Sequence, residues 1–79
     1  MFYAYVIKSI NSSFVYKGHC EDLDERLKQH NSGMTASLRP HLPFKIIYFE
    51  EFATRAEAIN REKYFKTGGG RRFLKSKLI

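Results

Sequence analysis

An acid stands where the helical pattern asks for an apolar side chain. Residues Thr54 to Lys66 (TRAEAINREKYFK) open on a capping box, Thr54-Arg-Ala-Glu57, and so predict a helix. The apolar stripe of that helix runs through Ala58, Ile59 and Phe65. Glu62 falls inside it, at i+4 from Ala58, i+3 from Ile59 and i−3 from Phe65. A buried carboxylate costs several kcal/mol unless a cation or a donor meets it. Any fold of this chain must therefore bring a partner or a ligand to position 62.

The 79 residues make one domain, 1–79, with no room for a second core. A chain of this length buries only about 60% of its extended surface, so its stability should be modest. At 43% hydrophobic and 15% aromatic it can fold unaided. Cys20 is the single cysteine, which excludes an internal disulfide framework and a thiolate zinc cage. The apolar start, Met1 to Ile7, lacks the basic leader and small-residue cleavage site of a signal peptide. No stretch approaches the roughly 18 apolar residues of a membrane span. A cytoplasmic protein with no membrane partner is the expectation.

Local signals give the order β-β-α-β-α-α, an α+β domain with a small three-stranded antiparallel sheet flanked by helices. Phe2 to Ile7 is aromatic and β-branched, and Phe14 to Gly18 resumes after the polar turn Asn11-Ser-Ser13, as in a hairpin. Asp22-Leu-Asp-Glu25 opens a first helix with acids where the helix dipole favours them. That helix runs to His30 or Asn31 and stops at Gly33. Residues 32–43 read as a loop and Phe44 to Phe52 as the third strand. Gly68-Gly-Gly70 should stop the Glu62 helix and act as a flexible joint; a P-loop is excluded, since Gly-Lys-Ser/Thr is absent. Arg71 to Leu78 predicts a short basic helix packed through Phe73, Leu74 and Leu78.

Charge is uneven. Lys and Arg number 14 against 8 acids, a formal charge of +6, which points to a polyanionic partner, most simply nucleic acid. Seven of those cations lie in 61–77: Arg61, Lys63, Lys66, Arg71, Arg72, Lys75 and Lys77. Their side chains would release counterions from a phosphate backbone, and an ordinary solvated helix face is the plainer account.

Other residues could carry chemistry. Arg26 sits at the edge of the first helix's apolar side, one turn before His30. It can reach into a cleft, or simply pair with Asp22. Tyr3, Tyr5 and Tyr16 lie on the hairpin, and Gly18 marks a close approach of backbone to another segment or to a ligand.

The ordered set Tyr3-Ala4-Tyr5, Tyr16-Lys17-Gly18, Asp22-Leu23-x-x-Arg26-Leu27-x-x-His30-Asn31 and Arg61-Glu62-Lys63 resembles the GIY-YIG endonuclease family, in particular its small stand-alone bacterial members. The likeness covers essentially the whole chain, including the closing run from Glu62 to Lys75. Tyr3-Ala4 replaces Gly-Ile of the first motif, and Lys17 replaces Ile of the second. Lys17 should face away from Tyr16 and lie at the surface, within reach of a phosphate.

The resemblance implies an endonuclease that hydrolyses phosphodiester bonds in DNA, RNA not being excluded. Tyr5 and Tyr16 match the motif tyrosines, Arg26 the catalytic arginine, and Glu62 the ligand of one divalent metal, Mg²⁺ or Mn²⁺. His19 follows the second motif in what reads as a loop. It and His30 are candidates for proton transfer or phosphate contact. Lys17, Lys63, Lys66, Arg71, Arg72 and Lys75 are the expected nucleic-acid contacts. Tyr16 is favoured over Tyr5 as general base, although a free phenol with a pKa near 10 needs neighbouring cations to act at neutral pH. Branched, flapped or damaged DNA, as in repair or recombination, suits so small a surface better than a long site. Oligomeric state is open. Two competing readings share the residues: a catalytically silent nucleic-acid-binding module on the same fold, and an interaction protein in which Glu62 pairs with Arg26.

Overall fold

The computed structural model describes residues 1–78, the side chain of Leu78 excepted, so the expected packing role of Leu78 lies outside what is described. The chain runs β1 (Phe2–Ser9), β2 (Val15–Cys20), α1 (Leu23–Asn31), a 3₁₀ helix (Ala36–His41), β3 (Phe44–Phe52), α2 (Arg55–Phe65) and α3 (Gly68–Leu78). The α+β class, the order β-β-α-β-α-α and the three-stranded antiparallel sheet are as expected from the sequence, and the 3₁₀ helix is an addition within the loop. The sheet order is β2-β1-β3, which leaves β2 and β3 at the edges.

β1 occupies the centre because its apolar run, Ala4 to Ile7, is buried throughout, and alternation turns it to two cores. Tyr5 and Ile7 face α1 and the 3₁₀ helix, with Cys20, Leu38 and Phe44. Ala4 and Val6 face the other way, beneath Phe65 of α2 and Leu74 of α3. Helices therefore cover both faces of the sheet. A bulge opposite Val6 and Ile7, where the register skips Ile47, turns both Ile47 and Tyr48 toward the α2–α3 side.

The helix ends are fixed by side chains. Asp22 caps α1 by accepting from the Glu25 N–H, and Thr54 and Glu57 form the reciprocal capping box of α2. At the far end of α1, Asn31 pairs with both backbone groups of Phe44, 2.7 Å from its N and 3.1 Å from its O. This clamp fixes α1 to the start of β3 and so sets the height of Arg26 and His30 above the sheet.

The glycine run is not a flexible joint. Thr67 accepts from the Gly70 N–H at 3.0 Å and donates to the Tyr64 carbonyl at 2.6 Å, and α3 begins at Gly68 itself. Gly70 is buried against α2, where any Cβ would overlap the Tyr64 carbonyl. Gly70 lets the two helices meet at a tight corner. Close backbone contact, not looseness, is what it provides.

Candidate active site

An edge strand can be approached from both faces, and β2 divides its side chains between them. Tyr16 and Gly18, opposite Ile7 and Tyr5, lie on the α1 side; Lys17 and His19, opposite Val6 and Ala4, lie on the α2 side. Gly18 makes room for Tyr5. A Cβ there would sit 2.5 Å from the Tyr5 Oη and 2.7 Å from its Cζ. The close approach signalled by this glycine is thus to another segment of the chain, the ring of Tyr5.

Tyr5 is 2% exposed, and its hydroxyl lies 2.7 Å from Nε2 of His30, itself buried. Tyr16, half-buried at the open edge, meets the His30 ring edge-on at 5.0 Å. His30 thus stands between the two motif tyrosines. Burial pushes the Tyr5 phenol far above its usual range, the neighbouring Tyr16 adds to this, and Arg26 opposes it. Burial and then Arg26 hold the His30 imidazole below its ordinary value, which keeps it neutral.

Arg26 acts electrostatically on both groups while its own side chain is exposed. It makes no ion pair among the described residues. The alternative pairing with Asp22 does not form, because Asp22 is spent on the helix cap. An exposed guanidinium close enough to Tyr5 and His30 to act on their charge, and with no ion pair among the described residues, is free to take an oxyanion.

Glu62 projects from α2 on the other side of β2. Its side chain is 17% exposed and engaged at both oxygens: His19 Nδ1 lies 2.7 Å from Oε1 and Lys66 Nζ 2.6 Å from Oε2. Burial raises its carboxyl pKa, but the bonds from Lys66 and His19 outweigh that and hold it below the ordinary value. The acid in the apolar stripe is therefore ionised and partnered. Two expectations are corrected here. The internal partner of Glu62 is not Arg26, since α1 and α2 cover opposite faces of the sheet. His19 is not a loop residue, because β2 continues through it to Cys20.

The cations separate into four groups. Lys66 belongs to Glu62. Arg61, expected on a phosphate-contacting surface, is instead paired with Glu50 through Nε at 2.7 Å and Nη2 at 3.2 Å, and stacks over Tyr64 and Phe73. Its guanidinium has become part of the α2–α3 packing. Lys17 is half-buried and lines an open groove with Arg71 and Lys75; Lys63 and Arg72 are exposed outside that groove. Lys77, one of the seven cations of 61–77, also lines it, as do Lys8 and Lys45, which sequence reasoning missed because they lie on strands far apart in the chain.

One ionised, partly accessible carboxylate, that of Glu62, suits a hard ion that retains most of its waters, as Mg²⁺ does. The Lys66 ammonium now occupies one carboxylate oxygen and is the group such an ion would displace.

The family model described as the GIY-YIG catalytic domain matches residues 1–73. A UPF0213 protein of Bacillus pumilus is 44% identical over 66 residues, covering 82% of this chain and 66% of the relative. UPF0213 protein CPE1444 of Clostridium perfringens is 40% identical over 67 residues, 84% of this chain and 71% of its own. UPF0213 protein SSP2268 of Staphylococcus saprophyticus is 34% identical over 74 residues, 92% and 89%. The chain thus spans just under two thirds of the Bacillus relative's length. No solved structure matches.

Proposed function

The chain belongs to the GIY-YIG catalytic-domain family, and from that premise we propose that it is an endonuclease hydrolysing phosphodiester bonds in DNA. One observation supports this above the rest. Tyr5, Tyr16, His30 and Arg26 form a single cluster against β2, while Glu62 lies across the same edge strand beside His19. A phosphodiester laid along that edge meets a guanidinium from one side and a carboxylate site from the other.

Arg26 binds the scissile phosphate and stabilises the charge that gathers on its oxygens in the transition state. Tyr16 is the general base toward the attacking water, since it is the tyrosine with an open face. Tyr5 is ill suited to that role: its hydroxyl is engaged by His30 and its phenol is held strongly protonated. Tyr5 and His30 instead orient Tyr16 and keep the floor of the site neutral. His19 holds the Glu62 carboxylate in place. Glu62 would hold the divalent cation, Mg²⁺ or Mn²⁺, whose chemistry is to neutralise charge on the phosphate and its leaving oxygen.

So small a domain reads shape more readily than a long sequence, so branched, flapped or damaged duplexes are the substrates to try first. The occupation of both Glu62 oxygens by Lys66 and His19 favours a second reading, a silent binding module whose carboxylate is locked. One assay decides between them. Wild type and Glu62→Ala are compared on supercoiled plasmid and a labelled branched duplex, each with Mg²⁺, Mn²⁺ or EDTA. Nicking that requires metal and disappears in Glu62→Ala is the expected result. Salt-sensitive binding without nicking, indifferent to metal, would establish the silent module.

A further inference from the structure

Six cations gather on the α2–α3 side of the sheet around one cleft. Lys8, Lys17 and Lys45 from the three strands, and Arg71, Lys75 and Lys77 from α3, line an open groove of about 720 Å³ in which no acid takes part. None of the six makes an ion pair among the described residues. Lys8 and Lys45 are direct cross-strand partners, a like-charge pairing that costs a sheet stability. A bound polyanion would turn that repulsion into attraction.

The shape of the charge argues for a strand over a compact anion. Arg71 and Lys75 stand about 6 Å apart along the α3 axis, and strand lysines face them across an apolar floor that includes Val15, Ile47 and Leu74. Charge is thus strung along two walls and not focused on a point. The groove is the size of a small-molecule pocket, with room for a short stretch of one strand and too little for a duplex. It has no aromatic lining on which bases could stack, so contact would be with the backbone and tolerant of sequence. It also runs toward the candidate active site: Lys17, which lines it, shares the α2-side face of β2 with His19, and His19 Nδ1 lies 2.7 Å from Glu62 Oε1.

We infer that this groove holds the phosphodiester backbone of one substrate strand on its way to or from Glu62, an inference that rests on the nucleic-acid reading of the preceding section. The test is binding of a labelled single-stranded oligonucleotide by anisotropy, in EDTA so that no cleavage intervenes, across 50 to 200 mM salt. The triple variant Lys8→Gln, Lys45→Gln, Lys77→Gln changes exposed side chains only, and a melting curve checks its fold. Its plot of log affinity against log salt should be shallower by about 2, at about 0.7 for each lysine on a single strand. Lys28→Gln on α1, outside the groove, should leave the slope unchanged. An unchanged slope in the triple variant, or as large a loss per charge from Lys28→Gln, would overturn the groove. Displacement of the strand by inorganic tripolyphosphate at equal charge concentration would overturn it in favour of a compact-anion site. Cleavage by wild type with no change of slope in the triple variant defeats the groove alone. A flattened slope without cleavage by wild type defeats the enzyme and leaves the groove standing.

Discussion

On the proposed function, the side chain of His30 serves both the fold and the site. It fills the space between Tyr5 and Tyr16, and burial together with Arg26 keeps it neutral. Its folded pKa lies below the unfolded value of about 6.5, so the unfolded chain takes up the proton first. Its contribution to stability is therefore complete above that pH and is lost as pH falls through the window beneath it. Glu50 and Glu62, both held below the ordinary carboxylate value of 4.5 as their cationic partners outweigh burial, add a second loss at pH below 4.5. Thermal melts from pH 8 to pH 3 should accordingly fall in two stages. In His30→Gln the first stage should be absent and the second retained. A melting temperature that held level from pH 6.5 to 5 in wild type would contradict the placement of His30 as a buried neutral base.

At the scale of elements, the α2–α3 corner makes the sharpest demand on sequence. Gly70 lies with its Cα against the Tyr64 carbonyl, whereas a Cβ at Gly68 would make only an ordinary contact, 3.7 Å from the Arg72 guanidinium. Gly70→Ala should therefore destabilise the domain by about 2–4 kcal/mol, at or above the usual cost of overpacking. Gly68→Ala should stabilise it by about 0.5–1 kcal/mol through helix propensity and a less flexible unfolded chain. Urea denaturation of the two variants checks both signs, and equal tolerance of both would restore the flexible joint. The misreading of this run has a plain cause. Consecutive glycines disfavour helix locally, and only the packing of α3 on α2 overrides that. Signals that act within a few residues were legible: both N-caps, the apolar run of β1, and the bounds of β3. Contacts between distant segments were not. Glu62 meets His19 across 43 residues, and Lys8 faces Lys45 through sheet register. Glu62 was visible as an anomaly in its helix, but the groups that answer it were not.

For the molecule as a whole, the proposed function makes the sheet edge the place where two separate cores contribute to one site. The α1 side supplies the tyrosines, His30 and Arg26; the α2 side supplies Glu62, His19 and the cations that lead into the groove. Among the described residues no helix is long and apolar enough to cross a membrane. If the two sides act together, their removal should not be additive, since residues that work as one unit lose nearly everything when any member is lost. The most direct measurement is a single-turnover cleavage cycle on a branched duplex with Mn²⁺, comparing wild type, Tyr16→Phe, Glu62→Gln and the double variant. Each single variant should lose at least about 100-fold, and the double variant should lose no more than the worse of the two. Losses that multiply, or a single variant that cleaves at the wild-type rate, would show that the two sides of β2 do not form one active site.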